Sequence, residues 1–228
     1  MNTEKTLPKP YYEDDSVFLI HGDCREIVPT LGRFDLLLTD PPYGIDGGRG
    51  TTSKARAKGA YTDCFNDTRE TVRTVCVPVI RLCLDVCRSG VITPGCRNLD
   101  LYPQAQSFGC FYQPAASGMQ AWGNMDSQPI LYYGVSHMAE KNLGRPCSFV
   151  LTEPPSCKEH PCSKPIKAWA RLVHLHCPDR GTVLDPFAGS GTTGRACKDL
   201  GRKCVMIERE ERYCEIAARR MGQEVFSF

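Results

Sequence analysis

The chain has 228 residues and a mass of 25.4 kDa, which suits a single domain, 1–228, with room for a small insertion. Apolar residues make up 41% and charged residues 24%, and this balance excludes wholesale disorder, collagen and a coiled coil. Lys plus Arg is 28 and Asp plus Glu is 26, so the net charge of +2 excludes an all-basic nucleic-acid binder and any basic surface must be local.

No apolar run approaches the ~20 residues needed to cross a bilayer. Residues Met1–Pro10 are polar and lack the apolar centre of an export signal. The expectation is a cytoplasmic protein with no membrane partner. Fourteen cysteines read as free thiols used as small apolar side chains. Cys76, Cys83 and Cys87 fit this, lying at helical spacing beside Val72, Val79 and Val86. Cys157, His160 and Cys162, followed by His174, His176 and Cys177, are the nearest approach to a zinc set. They form no clean pair of C-x-x-C knuckles, so no metal is expected.

In chain order, Ser16–Ile20 reads as a short strand ending at His21-Gly22-Asp23. Phe34–Thr39 is a continuous apolar run of strand length, which suits a parallel strand buried on both faces. Gly44–Gly59 holds five glycines and reads as a loop. Arg69–Arg88 repeats apolar residues with the period of an amphipathic helix, and Pro78 inside it predicts a kink or break. Gly90–Thr93, Ser107–Tyr112 and Gln128–Tyr133 are strand candidates, the last two within a weakly patterned stretch, 95–145. A helix is expected from Pro165 to about His176. Thr182–Asp185, Ser190–Leu200, Lys203–Ile207 and Glu210–Met221 then alternate strand and helix. The expected class is α/β, a doubly wound and mostly parallel sheet.

One strand-to-helix turn carries chemistry. It runs Asp185-Pro186-Phe187-Ala188-Gly189-Ser190-Gly191-Thr192-Thr193. Gly189 and Gly191 let a ligand lie against the backbone, and the helix start adds N–H groups and a partial positive charge. Glu208 ends the next strand, where an acid accepts hydrogen bonds from ribose hydroxyls. Neither G-x-x-x-x-G-K-[ST] nor G-x-G-x-x-G is present, so the ligand has a ribose without a need for phosphate. S-adenosylmethionine fits that description.

A second motif, Asp40-Pro41-Pro42-Tyr43, follows the buried Phe34–Thr39 run directly. Two prolines stiffen the corner and hold the carbonyls of Asp40 and Pro41 in place. The Asp40 carboxylate and the Pro41 carbonyl are two acceptors for one amino group, and Tyr43 offers a flat face for a base.

These motifs resemble the two signatures of the DNA amino-methyltransferases, D/N/S-P-P-Y/F/W and F-x-G-x-G. The order, with the Pro-Pro corner first and the Gly189 turn last, is similar to the circularly permuted β-type members with a Rossmann-like methyltransferase fold. Two further segments add to the resemblance: His21-Gly22-Asp23, where the family meets the cofactor adenine, and His160-Pro161-Cys162-Ser163-Lys164-Pro165, which looks like the segment contacting the methionine part. The resemblance implies S-adenosylmethionine as cofactor, with Asp23, Cys24, Ser163 and Lys164 among its contacts, and DNA as partner. It also implies methyl transfer to the exocyclic nitrogen of a flipped base, with N6 of adenine preferred because Asp opens the motif. Cytosine N4 is the alternative. An RNA substrate or a non-catalytic nucleic-acid-binding role is further off. Cytosine-C5 chemistry is disfavoured, because no cysteine follows a strand of the Phe34–Thr39 kind.

Removing the Asp40 carboxylate is expected to abolish turnover while leaving cofactor binding largely intact. The loop 44–68 carries Arg49, Lys54, Arg56 and Lys58 and is expected to touch DNA phosphates. The stretch 95–145 is the candidate for sequence reading. A homodimer and a restriction-modification setting are compatible with this reading.

Overall fold

A computed structural model of the chain describes residues 8–45, 67–112, 118–120, 123–141, 146–150 and 164–223. The first half contributes β1 (Tyr12–Glu13), β2 (Val17–His21), the short α1 (Cys24–Ile27) and β3 (Phe34–Thr39). A helix then begins as α2 (Arg69–Thr71), widens into a π-helical stretch (Val72–Cys76) and continues as α3 (Val77–Val86). It leads into β4 (Cys87–Ile92). Next come β5 (Ser107–Tyr112), β6 (Gly118–Gln120), β7 (Gly123–Met125), β8 (Ser127–Gly134), α4 (His137–Glu140) and β9 (Phe149–Val150). The last part is α5 (Ile166–His176), β10 (Thr182–Asp185), α6 (Thr192–Asp199), β11 (Lys203–Glu208) and α7 (Glu211–Met221).

The main sheet has the order β1-β2-β11-β10-β3-β4-β8-β5-β9. Strands β2, β11, β10, β3 and β4 run parallel, β8 joins β4 antiparallel, and β5 joins β8 antiparallel in turn. The alternation of side chains along each strand feeds two cores. Leu36, Leu38, Val183 and Met206 pack with α5, α6 and α7 on one face. Leu37, Leu184, Ile207 and Ile20 pack with α1 and α3 on the other. That double burial explains why β3 reads as an unbroken apolar run. Among the described residues no helix is long and apolar enough to cross a membrane.

Three details differ from the sequence expectation. The kink expected at Pro78 takes the form of the π-helical stretch just before it. Proline has no N–H to donate and its ring crowds the carbonyl of Thr74, so the helix widens there and still continues. The following strand starts at Cys87, earlier than Gly90, because Cys87 and Ser89 already pair with Phe34 and Leu36. Within the stretch 95–145, β5 and β8 join the main sheet. The hairpin β6–β7 stands apart as a two-stranded sheet.

In chain order β3 leads outward to β4, whereas its neighbour β10 leads the other way to β11. The sheet therefore has a switch point between β3 and β10, and ligands bind beyond the carboxyl ends of strands at such a point.

Candidate active site

The two central strands end in residues that bind each other. The Thr39 hydroxyl donates to Asp185 Oδ1 at 2.7 Å, and the Thr193 hydroxyl donates to Asp185 Oδ2 at 2.5 Å. The Phe187 N–H adds a bond to Oδ1 at 3.1 Å, and the Trp169 indole N–H donates to Thr193 Oγ1 at 3.0 Å. Asp185 is 2% exposed. Burial pushes its carboxyl up to about 6, against the pull of the Thr193, Thr39 and Phe187 hydrogen bonds, and the nearby Asp40 charge adds to the rise. Asp185 thus borders the cavity while both its oxygens tie the two motifs together.

The glycine-rich turn is fixed from two sides. Glu208, at the end of β11, accepts from the Gly189 N–H at 2.7 Å and from the Glu210 N–H at 2.8 Å. Its carboxyl is raised, mainly by burial. Arg220 of α7 donates to the Ser190 carbonyl at 2.6 Å, to its hydroxyl at 3.1 Å and to the Thr192 hydroxyl at 3.3 Å. Gly189 lines the cavity. Gly191 does not: it has φ +76°, and a Cβ there would lie 2.9 Å from the Ala217 Cβ. A left-handed turn and close helix packing require glycine at that position.

At the end of β2, the Gly22 N–H donates to the Glu208 carbonyl at 2.9 Å. This brings Asp23 and Cys24 to the same cavity. The Asp23 carboxylate caps α1 through the Arg25 N–H at 2.9 Å and pairs with the Arg25 guanidinium at 2.5 Å. Those contacts hold it below the usual carboxylate range. Burial pushes the Cys24 thiol up to about 12, so it faces the cavity as a neutral group.

The Pro-Pro corner is held just as closely. Asp40 Oδ1 accepts from the Thr93 hydroxyl at 2.5 Å and from the Tyr43 hydroxyl at 2.6 Å. Asp40 Oδ2 meets Lys164 Nζ at 2.7 Å. The same ammonium lies 4.8 Å from the centre of the Tyr43 ring. Behind the corner, Asn98 donates to the Tyr43 carbonyl at 2.6 Å and accepts from Arg69 at 2.8 Å. Asp67 accepts from the Gly44 N–H at 2.5 Å. Gly95, at φ +69°, packs its bare α-carbon on the Tyr43 ring, where a Cβ would fall 2.7 Å from Cγ.

Sequence reasoning missed Thr93, Gly95, Asn98, Asp67 and Trp169. Thr93-Pro94-Gly95 follows the end of β4 much as Thr39-Asp40-Pro41 ends β3, and that parallel was the available signal. Asn98 and Asp67 act through bonds to backbone groups far away in sequence, and no local pattern marks them.

One cleft joins these parts, with an empty volume of about 1260 Å³ including its open mouth. Asp40, Pro41, Pro42, Tyr43 and Lys164 line one part; Pro186, Phe187, Gly189, Ser190, Thr192, Thr193 and Glu208 line another. Ser163 and the loop cations Arg49, Lys54, Arg56 and Lys58 lie outside the described residues, as do Cys157, His160 and Cys162. Among the described residues no His, Cys, Asp and Glu cluster could hold a metal ion.

The chemistry of the lining fits S-adenosylmethionine. Asp185 and Glu208 suit a cationic, hydroxyl-bearing ligand, the walls at Pro186, Phe187 and Tyr213 suit a purine, and Lys164 suits a carboxylate.

Residues 120–219 match the N6/N4 methyltransferase model, described as DNA methylase. The type II methyltransferase M2.LlaDCHI of Lactococcus lactis subsp. cremoris is 26% identical over 95% of this chain and 93% of its own length. Among solved structures, M1.HpyAVI in complex with SAM has a TM-score of 0.63 at 21% identity, covering 91% of this chain and 100% of that one. The cytosine-N4-specific PvuII DNA methyltransferase has a TM-score of 0.72 at 15% identity, covering 96% of this chain and 91% of that one. Both signature turns thus meet at one switch point, and the chain is similar to the N6/N4 DNA methylases over residues 120–219 and to a type II methyltransferase over nearly its full length.

Proposed function

We propose that the protein transfers a methyl group from S-adenosylmethionine to N6 of adenine in DNA. The observation that carries this reading is the shared cleft, with the Asp40 carboxylate and the rigid Pro41 carbonyl in one wall and the Gly189–Glu208 cradle in the other.

The exocyclic nitrogen is a weak nucleophile, since its lone pair is spread into the ring. Two fixed acceptors on its hydrogens favour a more tetrahedral nitrogen. Asp40 Oδ2 takes one hydrogen and the Pro41 carbonyl the other. The bound cofactor supplies an electrophilic methyl on a sulfonium. Thr93 and Tyr43 hold Oδ1, which fixes the carboxylate plane and aims Oδ2. Catalysis by these residues is positioning together with preorganised charge. After transfer the methylated nitrogen carries one excess proton, which leaves through Asp40 to water.

The base must be turned out of the helix to reach this cleft, at a cost of a few kcal/mol. Stacking on the Tyr43 ring returns about 1–3 kcal/mol. The loop cations Arg49, Lys54, Arg56 and Lys58 support the backbone contacts, and within 95–145 the hairpin β6–β7 is the element assigned to sequence reading.

Asp at position 40 supports adenine, because the family motif pairs Asp with adenine more often than with cytosine. The similarity in fold to a cytosine-N4-specific enzyme favours the second reading, transfer to cytosine N4. Methylation of mixed-sequence DNA followed by nucleoside mass spectrometry decides between them. N6-methyladenine is expected; N4-methylcytosine would replace the first reading with the second, and unmodified DNA would remove both.

A further inference from the structure

The groups that the reaction needs exposed are held by one cation. Asp40 Oδ1 is already saturated by the Thr93 and Tyr43 hydroxyls, so Oδ2 is the oxygen left to accept from a base. Lys164 Nζ sits on that oxygen at 2.7 Å and also beside the Tyr43 ring at 4.8 Å. A base amine and the Lys164 ammonium therefore compete for the same oxygen, and the base ring and the ammonium compete for the same aromatic. Both partners of the pair are largely shielded, with side-chain exposures of 14% for Lys164 and 20% for Asp40. An ammonium drawn from Asp40 without another anion would be left poorly solvated in the cleft.

The cleft indicates which anion takes it. Arg209 and Arg212 follow Glu208 at the ribose end of the cleft, whereas among the described residues Lys164 is the cation on its Asp40 side. A ligand that sets its sulfonium methyl beside Asp40 brings the adjoining amino-acid chain, and its carboxylate, to the Lys164 side. We propose that Lys164 is an exchangeable counter-ion. It caps Asp40 Oδ2 until the carboxylate of S-adenosylmethionine draws it away, so the base acceptor is uncovered when cofactor binds. Cofactor entry thereby precedes productive capture of the base. This rests on methyl transfer at the Asp40 cleft and is indifferent to which base is modified.

The test is a double-mutant cycle on cofactor binding by isothermal titration, with no DNA present. Asp40→Asn removes the competing anion at nearly constant shape. It is expected to bind S-adenosylmethionine roughly three- to tenfold more tightly than the parent, the range open to a shielded ion pair. The tightening should vanish in a Lys164→Met background and persist with Lys164→Arg. Unchanged or weaker binding by Asp40→Asn, or equal tightening with and without Lys164, would overturn the proposal. Methylthioadenosine, which lacks the carboxylate, should bind parent and Lys164→Met equally. A crystal structure of the parent with S-adenosylhomocysteine gives a check that needs no variant. Lys164 Nζ should leave hydrogen-bond range of Oδ2, and its retention there overturns the exchange. A failed search for methylated adenine would leave these binding results standing, so the two readings fail separately.

Discussion

The Thr39 hydroxyl reaches the Asp185 carboxylate at 2.7 Å across 146 positions of sequence. That bond ties the strand before the Pro-Pro corner to the strand before the glycine-rich turn. Its acceptor is buried, and loss of the Thr39 donor leaves that oxygen with the longer Phe187 N–H bond. Thr39→Val should lower stability by about 1–3 kcal/mol, read from urea unfolding, with a smaller loss for Thr39→Ser. Equal stability of parent and Thr39→Val would mean that the bond contributes nothing.

The same carboxyl makes stability depend on pH. Burial raises the folded-state value of Asp185 to about 6, above the unfolded value of 3.8. Between those limits the folded state holds the extra proton. The stability associated with this group is therefore fully present below about 3.8 and declines as pH rises to about 6. Unfolding free energies of parent and Asp185→Asn, measured from pH 4 to 7, should diverge with that slope. A pH-independent difference would show that the group does not titrate there.

Asp40 carries the acceptor role in the proposed chemistry. Asp40→Ala should cut kcat by at least roughly 10²–10³-fold, the loss typical of a removed preorganised group. Melting temperature should fall as well, since the carboxylate accepts from the buried Thr93 hydroxyl and pairs with the shielded Lys164 ammonium. Transfer of labelled methyl groups to mixed-sequence DNA measures the first quantity and calorimetry the second.

Gly95 separates aromatic positioning from cofactor binding. Gly95→Ala forces a Cβ within 2.7 Å of the Tyr43 ring at a left-handed backbone position. Strain at such a site costs about 1–2 kcal/mol, and the ring must shift. Methyl transfer to DNA should fall while S-adenosylmethionine affinity stays within about twofold. A matching loss of cofactor affinity would place Gly95 in the cofactor wall instead.

Gly191 should behave in the opposite sense. Gly191→Ala meets the Ala217 side chain at 2.9 Å and is expected to destabilise the fold by about 1–3 kcal/mol. Below the melting transition its cofactor affinity should remain near that of the parent. A variant of normal stability with weakened cofactor binding would return Gly191 to the ligand surface.

The readable parts of the sequence were those where local chemistry and final role coincide. Phe34–Thr39 announced a doubly buried strand because both its faces are covered. The two motifs were legible because glycine and proline impose geometry wherever they stand. The edge strands β1 and β9 span two residues each and carry no period to detect. Asp185 was legible as a member of the turn but not as its anchor. Its partners Thr39 and Thr193 lie on different elements, and only the folded sheet brings them together. Trp169 is similar: its indole N–H serves a turn that follows another strand.

The strand order also bears on how the protein is made. β2 and β3 leave the ribosome well before their parallel neighbours β11 and β10. Until β10 and β11 have been made, two apolar strands have unsatisfied edges, a condition that favours slow folding and demand for chaperones. A nascent chain that lacks β10 and β11 would hold the Pro-Pro corner without the cradle opposite it, so the proposed methyl transfer has to wait until both strands are made.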